Sequence, residues 1–226
     1  MKYKAVIFDL FGTLVYQATW TKQNSVLNQM ASVLSISPED IKKQWTDTFD
    51  ARMKGEFPDY QANIKFICRQ LSVSFNDNQI ELASQLRLEM VKKEFTPRKD
   101  AIEVLSYLKT NNFQTGLISD CSYPVPNIWS DTPFAPFIDE VVFSCLVGIK
   151  KPDPRIYQIA VDKLAVKPEE CLYVADGIGQ ELAGASKLGM HAVQILVPGE
   201  DGYDPYREEW NGPVIRSLKE ILTFIE

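Results

Sequence analysis

The sequence predicts an α/β protein: a doubly wound parallel sheet carrying a smaller, all-helical domain. Three observations carry that expectation. Short apolar runs end in polar residues at Asp9, Ser119 and Asp176. Single helical patterns separate such runs after Pro97, and nothing between residues 16 and 95 reads as a strand. Strands separated by single helices make parallel βαβ units with right-handed crossovers. The helical stretch interrupts the first such unit, so it is expected to sit as a lid above the strand ends. The expected division is a core of residues 1–15 and 96–226 with a cap of residues 16–95.

Taken in order, Lys4–Phe8 is an apolar run that ends at Asp9, the pattern of a strand buried on both faces. Gly12 follows in a tight turn. Residues 21–34 then place Val26, Leu27, Met30, Val33 and Leu34 on one helical face. Ser37-Pro38 pairs a cap with proline at the first helical position, opening a helix with Ile41, Trp45 and Phe49 on one stripe. That stripe reads as lid core. Helical patterns also cover 59–71 and 77–94, the second opened by Asn76 and Gln79 in capping-box spacing.

Beyond Pro97, a helix with Ala101, Leu105 and Leu108 inward precedes a strand at 115–119 and a proline-rich loop at 122–136. In that loop Tyr123, Pro124, Pro126 and Trp129 suit either an apolar wall for a substrate or an ordinary packed connection. A strand at 140–144 leads to a helix opened by Asp153-Pro154, with Ile156, Ile159 and Leu164 on its face. A strand at 171–175, a helix at 179–188 and a strand at 191–197 follow. A helix at 218–225, capped by Ser217 and Glu220, ends the pattern. The stretch Glu200–Trp210 reads as a surface loop or an oligomer contact, with Tyr203, Tyr206 and Trp210 as its aromatic members.

Composition narrows the chemistry. The 226 residues can bury a substantial core, and 45% hydrophobic with 24% charged is ordinary for a folded protein. A net charge of −6 argues against a nucleic-acid or anionic-membrane surface. No run of apolar residues is long enough to span a bilayer, and the N-terminus lacks a signal-peptide layout. Cys68, Cys121, Cys145 and Cys171 show no CxxC spacing and read as reduced packing residues, so the expected setting is cytoplasmic. The single histidine, His191, rules out a His-rich metal centre. It lies at a strand start and reads as structural, and no G-x-S-x-G elbow supplies a serine for a catalytic triad. The expected form is a monomer or homodimer acting on a small molecule.

In open parallel sheets ligands bind outside the carboxyl ends of the strands. The polar residues expected there are Asp9, Ser119 with Asp120, and Asp176, and the loop before the Asp153-Pro154 helix adds Lys150 and Lys151. Crowded carboxylates repel and resist desolvation unless a cation is present. A hard divalent ion resolves this, and Mg²⁺ prefers oxygen ligands.

The residues that line this edge carry a resemblance. Asp9-Leu10-Phe11-Gly12-Thr13 resembles the first signature of the haloacid dehalogenase-like (HAD) hydrolase superfamily. Ser119, after the strand TGLIS, resembles its second signature, and Lys151-Pro152-Asp153-Pro154 its third. YVADGIGQELAGASKLGM, led by Asp176, is similar to its fourth. The motifs run in the family's order, and the helical insertion resembles the cap of its first subclass.

The resemblance implies a Rossmann-like core and a role for each residue. Asp9 is the implied nucleophile, forming an acyl-phosphate or ester that water later cleaves. Ser119 is implied to bond a phosphoryl oxygen, with Asp120 beside it in the substrate site. Lys151 is implied to neutralise charge between Asp9 and the transferring group, while Lys150 reads as a solvated neighbour. Asp176 is implied to ligate Mg²⁺ with Asp9 and the main-chain carbonyl of Phe11, and Glu181 falls near that metal. Gly177 and Gly179 serve the turn into the following helix.

Phe11 departs from the pattern. The family's phosphatases usually carry a second aspartate there, which protonates the leaving oxygen and then activates water. Losing a positioned general acid typically costs roughly 10²–10⁴-fold in rate. Three readings follow. The first is a Mg²⁺-dependent phosphatase of a small phosphorylated metabolite, working through an aspartyl-phosphate. It would use another acid, Asp120 being the nearest in sequence, or substrates with good leaving groups. The second is a 2-haloacid dehalogenase-like C–X hydrolase, since halide leaves without a proton, family dehalogenases carry an aromatic residue at this position, and KPDPRIY looks like their third motif. Against it stand Asp176 and Glu181, which those dehalogenases replace with neutral residues. Their substrate-binding cap arginine also has no evident match among Arg52, Arg69 and Arg87. The third is a catalytically weak member that binds a phosphometabolite or a partner protein. Asp9, Ser119, Lys151 and Asp176 together favour the phosphatase.

Overall fold

The computed structural model describes residues 3–17, 19–199 and 204–225. Six strands, β1 (Ala5–Phe8), β2 (Gln114–Ser119), β3 (Glu140–Phe143), β4 (Cys171–Ala175), β5 (His191–Ile195) and β6 (Val214–Ile215), form its centre. They make one sheet in the order β3-β2-β1-β4-β5-β6, and every pair is parallel. The order reverses between β1 and β4, the position at which open α/β sheets bind ligands.

Burial explains why β1 is an unbroken apolar run. Val6 and Phe8 face one layer with Leu117, Val174 and Val193, while Ala5 and Ile7 face the other with Ile118, Tyr173 and Ala175. Neither face of the strand meets solvent, so no alternation is required. The first layer includes Ala101, Val104, Leu105 and Leu108 of the helix Ala101–Thr110, and the second includes Ile156, Ala160 and Leu164 of the helix Pro154–Leu164. The doubly wound class predicted from the alternation is the one observed.

Between β1 and the Ala101–Thr110 helix, five helices form: α1 (Trp20–Leu34), α2 (Pro38–Asp47), α3 (Phe49–Met53), α4 (Tyr60–Gln70) and α5 (Asp77–Glu94). Side-chain caps set the starts of α1, α2, α4 and α5. Ser37 Oγ accepts from Asp40 N at 3.1 Å, and Asn76 and Gln79 complete a reciprocal capping box, each cap contributing about 1 kcal/mol. No strand occurs among the described residues from 16 to 95. The chain leaves and re-enters the sheet region side by side, with Val15 bridging Pro97 and Arg98 N donating to Leu14 O at 2.9 Å.

Several local expectations are corrected. The stripe Ile41–Trp45–Phe49 is broken at Thr48, whose hydroxyl bonds back to Gln44 O and whose backbone ends α2. Ile41 and Trp45 are buried, but Phe49 is exposed. The loop at 122–136 contains a helix, α7 (Pro124–Ile128), after α6 (Ala101–Thr110), because proline is preorganised for a helix's first turn. Trp129 packs on Phe134 and Phe143. A short helix, α8 (Ser144–Val147), precedes α9 (Pro154–Leu164) and α10 (Glu181–Leu188). β6 has no strand signal in the sequence, and the expected final helix is a 3₁₀ turn over Leu218–Ile221 followed by α11 (Leu222–Ile225).

Two further expectations concern composition. His191 starts β5, at the end of the strand opposite the crevice, with its ring 5.6 Å from Tyr3 and 5.8 Å from Phe224. All four cysteines are free and buried. Among the described residues no helix is long and apolar enough to cross a membrane.

Candidate active site

The parallel register sets Asp9 and Asp176 one residue beyond the paired ends of β1 and β4, and Ser119 at the end of β2. Asp9 N donates to Val174 O at 3.0 Å, which locks the first acid against the strand that delivers the second. Both oxygens of Asp9 are held. Lys151 Nζ donates to Oδ1 at 2.5 Å, and Thr13 Oγ1 donates to Oδ2 at 3.1 Å.

Lys151 is the hub. Its Nζ also donates to Glu181 Oε2 at 2.5 Å and to Ile118 O at 3.3 Å, and its main-chain N donates to Asp120 Oδ1 at 3.1 Å. Glu181 is fully engaged, since Oε2 also accepts from Tyr173 OH at 2.9 Å and Oε1 accepts from Gly177 N at 3.1 Å. Asp176 differs. Its Oδ1 accepts from Ile178 N at 3.0 Å, but its buried Oδ2 has no hydrogen bond, and Arg207 Nη2 stands 3.8 Å away.

The electrostatics follow from burial. Desolvation pushes the Asp9 carboxyl up to about 6, against the attraction of Lys151 and with the repulsion of Glu181. Desolvation, then the charges of Glu181 and Asp9, hold Asp176 well above the usual carboxylate range. Burial works against the charge on Lys151, but the carboxylates of Asp9, Glu181 and Asp120 outweigh it and keep the ammonium protonated. Asp120 is itself raised by burial. Asp9, Asp176 and Glu181 each offer one oxygen within 4.8 Å of the others.

Ser119 is fully buried, and apart from a weak approach to the Cys121 thiol its Oγ has no hydrogen-bond partner. Phe11 turns its ring edge-on to Phe95, with centroids 6.0 Å apart, so the position offers packing and no acid. Lys150 is not a free solvated neighbour. It pairs with Asp50 at 2.9 Å and lies 5.6 Å from the Phe49 ring, joining the α8–α9 loop to α3.

Gly12 shows how tightly the loop and the acid fit. It sits at φ +87°, and a Cβ there would fall on Asp176 Oδ2. Gly12→Ala is therefore expected to cost about 1–2 kcal/mol for the left-handed backbone alone, with displacement of Asp176 added. A urea melt reads the loss, and unchanged stability would contradict this account of the turn.

Sequence reasoning missed several contributors. Thr13 lies inside the quoted motif but received no role. Arg207 reaches the site from a segment read as a surface loop or oligomer contact, its Nε donating to Asp176 O at 3.2 Å. Glu208 accepts from Leu182 N and Ala183 N at the start of α10. The described part of that segment thus forms one wall of a cleft of about 620 Å³ with Pro152, Gln180 and Ala183. Tyr203 lies outside the described residues.

Two buried carboxylates at adjacent strand ends, Asp9 and Asp176, with a buried lysine joining the first of them to Glu181 at the reversal of a parallel sheet, describe an enzyme of the α/β class that handles an anionic or polarised group. Residues 3–189 match the family model of the haloacid dehalogenase-like hydrolases, and the chain belongs to that family. It is 29% identical to (S)-2-haloacid dehalogenase 4A of Burkholderia cepacia over 202 residues, covering 85% of this chain and 82% of that one. It is 25% identical to the glyceraldehyde 3-phosphate phosphatase of Pyrococcus furiosus over 232 residues, covering 99% and 93%. It spans only 18% of a longer curated relative, acyl-CoA dehydrogenase family member 10 of Mus musculus. The crystal structure of a HAD phosphatase from Thermococcus onnurineus shares the fold, with a TM-score of 0.65 at 21% identity over 98% of this chain and 97% of that one. The protein is a hydrolase whose relatives include both phosphatases and dehalogenases.

Proposed function

We propose that the protein is a Mg²⁺-dependent phosphatase of a small phosphorylated metabolite, with Asp9 as the nucleophile. The observation that carries this reading is Asp176. It is a buried carboxylate beside Asp9 with one oxygen lacking any hydrogen bond, an arrangement that a metal-free C–X hydrolase has no use for.

The donor set fits the ion. Its atoms are hard oxygens, as Mg²⁺ prefers, and Glu181 is already saturated by Lys151, Tyr173 and Gly177 N. Asp9 and Asp176 would therefore hold the metal with the main-chain carbonyl of Phe11, and Glu181 serves instead as the counter-ion of Lys151. Bound there, Mg²⁺ supplies positive charge that lets the two acids ionise side by side and offsets charge on the phosphoryl group. Asp9, fixed at both oxygens by Thr13 and Lys151, presents its carboxylate to phosphorus in one orientation. Its attack breaks the ester P–O bond and leaves an aspartyl-phosphate, which water cleaves to release phosphate and restore Asp9. Ser119 donates its unused hydroxyl to a phosphoryl oxygen, and Lys151 stabilises the charge that develops there. Phe11 supplies no proton, so the leaving oxygen either takes one from Asp120, whose carboxyl burial raises, or departs as a weak base.

Residues 16–95 act as the cap over this crevice and residues 1–15 with 96–226 as the catalytic core. Four reduced, buried cysteines suit a cytoplasmic setting, and the net charge of −6 suits a small-molecule rather than a nucleic-acid partner. Ser119→Ala is expected to lower kcat/KM by about 10²-fold, while stability moves by less than about 1 kcal/mol because no strong bond is lost. Ester kinetics and thermal melts check both parts.

A second reading, 2-haloacid dehalogenation, draws its support from Phe11 and from the dehalogenase relative. A panel of phosphate esters assayed with and without Mg²⁺, beside a 2-haloacid assayed for halide, separates the two. Phosphate release that requires Mg²⁺ supports the phosphatase. Metal-independent halide release with no ester turnover would replace it.

A further inference from the structure

We propose that Cys121 and Cys145 form a thiol pair beside the crevice that hydrogen peroxide closes, reversibly, into a disulfide. The pair is a modification site of the core and does not rest on which ester or halide the crevice hydrolyses.

The sheet brings the two cysteines together. Ser119 pairs with Phe143 at the end of the β2–β3 ladder, and each cysteine lies two residues beyond its member of that pair. The parallel register therefore carries Cys121 and Cys145 out side by side. Neighbouring strands stand about 4.7–4.9 Å apart, inside the Cα span of about 4.4–6.8 Å that a disulfide bridges. The segments stay joined past the strand ends, because Cys121 N donates to Ser144 Oγ at 3.0 Å. The side chains meet as well, the Cys121 thiol hydrogen-bonding the Cys145 sulfur.

The two sulfurs are not equivalent. That bond holds the Cys145 thiol below the ordinary thiol range, while burial holds Cys121 well above it. Cys145 is thus the readier thiolate, the attacking species in thiol chemistry, and Cys121 the resolving thiol. Burial raises Cys68 and pushes Cys171 up to about 12, so neither is primed in this way.

Access is restricted. Both residues of the pair are buried, and the turn after α3 lies against them. Ser144 Oγ donates to Met53 O at 2.7 Å, and a Cβ on Gly55 would fall on Cys145 O. Such burial favours a small, neutral oxidant over a protein disulfide.

The reaction balances with peroxide alone. The Cys145 thiolate attacks one peroxide oxygen, the O–O bond breaks, and the departing hydroxide takes up a proton to leave as water. The Cys121 sulfur then attacks the sulfenic acid, giving up its proton as the S–S bond forms and a second water departs. The two thiols lose two electrons and one peroxide is reduced to two waters. A small dithiol reverses the step by exchange. The new bond constrains the segment Ser119–Asp120–Cys121, whose Asp120 carboxylate accepts from Lys151 N at 3.1 Å, so closure acts on the crevice.

The test maps the cross-link. The full reduced chain is treated with hydrogen peroxide at neutral pH, alkylated with iodoacetamide in denaturant and cleaved before its aspartates. Cleavage before Asp131 and Asp139 puts the two cysteines on separate peptides. The expected product is a joined Cys121–Cys145 peptide pair, released by dithiothreitol and absent from Cys145→Ser. Peptides that stay separate, alkylated or carrying only added oxygen, overturn the proposal, and so does joining of either cysteine to Cys68 or Cys171. The wild-type map decides this without any variant.

Turnover is the second readout, on whichever of a phosphate ester and a 2-haloacid the enzyme hydrolyses. Peroxide is expected to lower it in wild type by about tenfold or more, with recovery in dithiothreitol, and to leave Cys145→Ser near its untreated rate. A cross-linked enzyme at full activity would contradict the action on the crevice. Failure to hydrolyse any ester removes the phosphatase reading, while the peptide map still decides the thiol pair.

Discussion

Lys151→Met is expected to abolish the proposed ester turnover and to lower the stability of the metal-free protein by about 3–5 kcal/mol. The size of both effects comes from the position of one ammonium group. Lys151 Nζ stands 2.5 Å from Asp9 and 2.5 Å from Glu181, with all three side chains buried. Methionine fills the volume but leaves two desolvated carboxylates facing one another without a cation. Mutating one partner of a buried pair leaves the other charge uncompensated, which costs far more than a surface ion pair contributes. Activity falls because Asp9 loses the contact that orients Oδ1 and the phosphoryl oxygens lose their fixed cation. Urea melts in EDTA and ester kinetics measure the two effects. A variant within about 1 kcal/mol of wild type would mean that Lys151 is not the charge that holds the site together.

Asp176→Asn should have effects of opposite sign with and without metal. Asparagine keeps an oxygen for Ile178 N, so the turn survives. It also removes a buried negative charge that Asp9 and Glu181 repel. Metal-free stability is therefore expected to rise. Wild type should gain about 2.7 kcal/mol at a Mg²⁺ concentration 100 times its Kd, and the variant should lose that gain together with turnover. Thermal melts across a Mg²⁺ series decide it. An undiminished metal-dependent shift in Asp176→Asn would place the ion elsewhere.

Much of this was legible in the sequence because it is local. A strand buried on both faces must be apolar throughout, so the runs ending at Asp9, Ser119 and Asp176 mark both the strands and their carboxyl ends. Cap residues such as Ser37 and Asn76 mark helix starts for an equally local reason. The parallel order then brings those strand ends together without further information.

The rest depends on contacts between distant segments or on one or two residues of backbone. Thr48 ends α2 by bonding back to Gln44 O, and Phe49 thereby leaves the buried stripe. β6 has two residues, too few for a period to show. Arg207 lies 31 positions from Asp176, and nothing around it in the sequence points to the crevice. Arg52 and Arg87 each reach the Trp45 ring, at 4.0 and 4.7 Å, only through the packing of α2, α3 and α5, so each alone looks like an ordinary helix-surface charge.

The central claim is that Asp9 carries the transferred group. It is tested most directly by acid-quenching the enzyme during turnover of a phosphate ester labelled at phosphorus and mapping the labelled peptide. The account predicts label on the peptide containing Asp9, stable in acid and released by base, with both label and turnover gone in Asp9→Asn. Turnover that persists in Asp9→Asn, or label carried by any other residue, would contradict it.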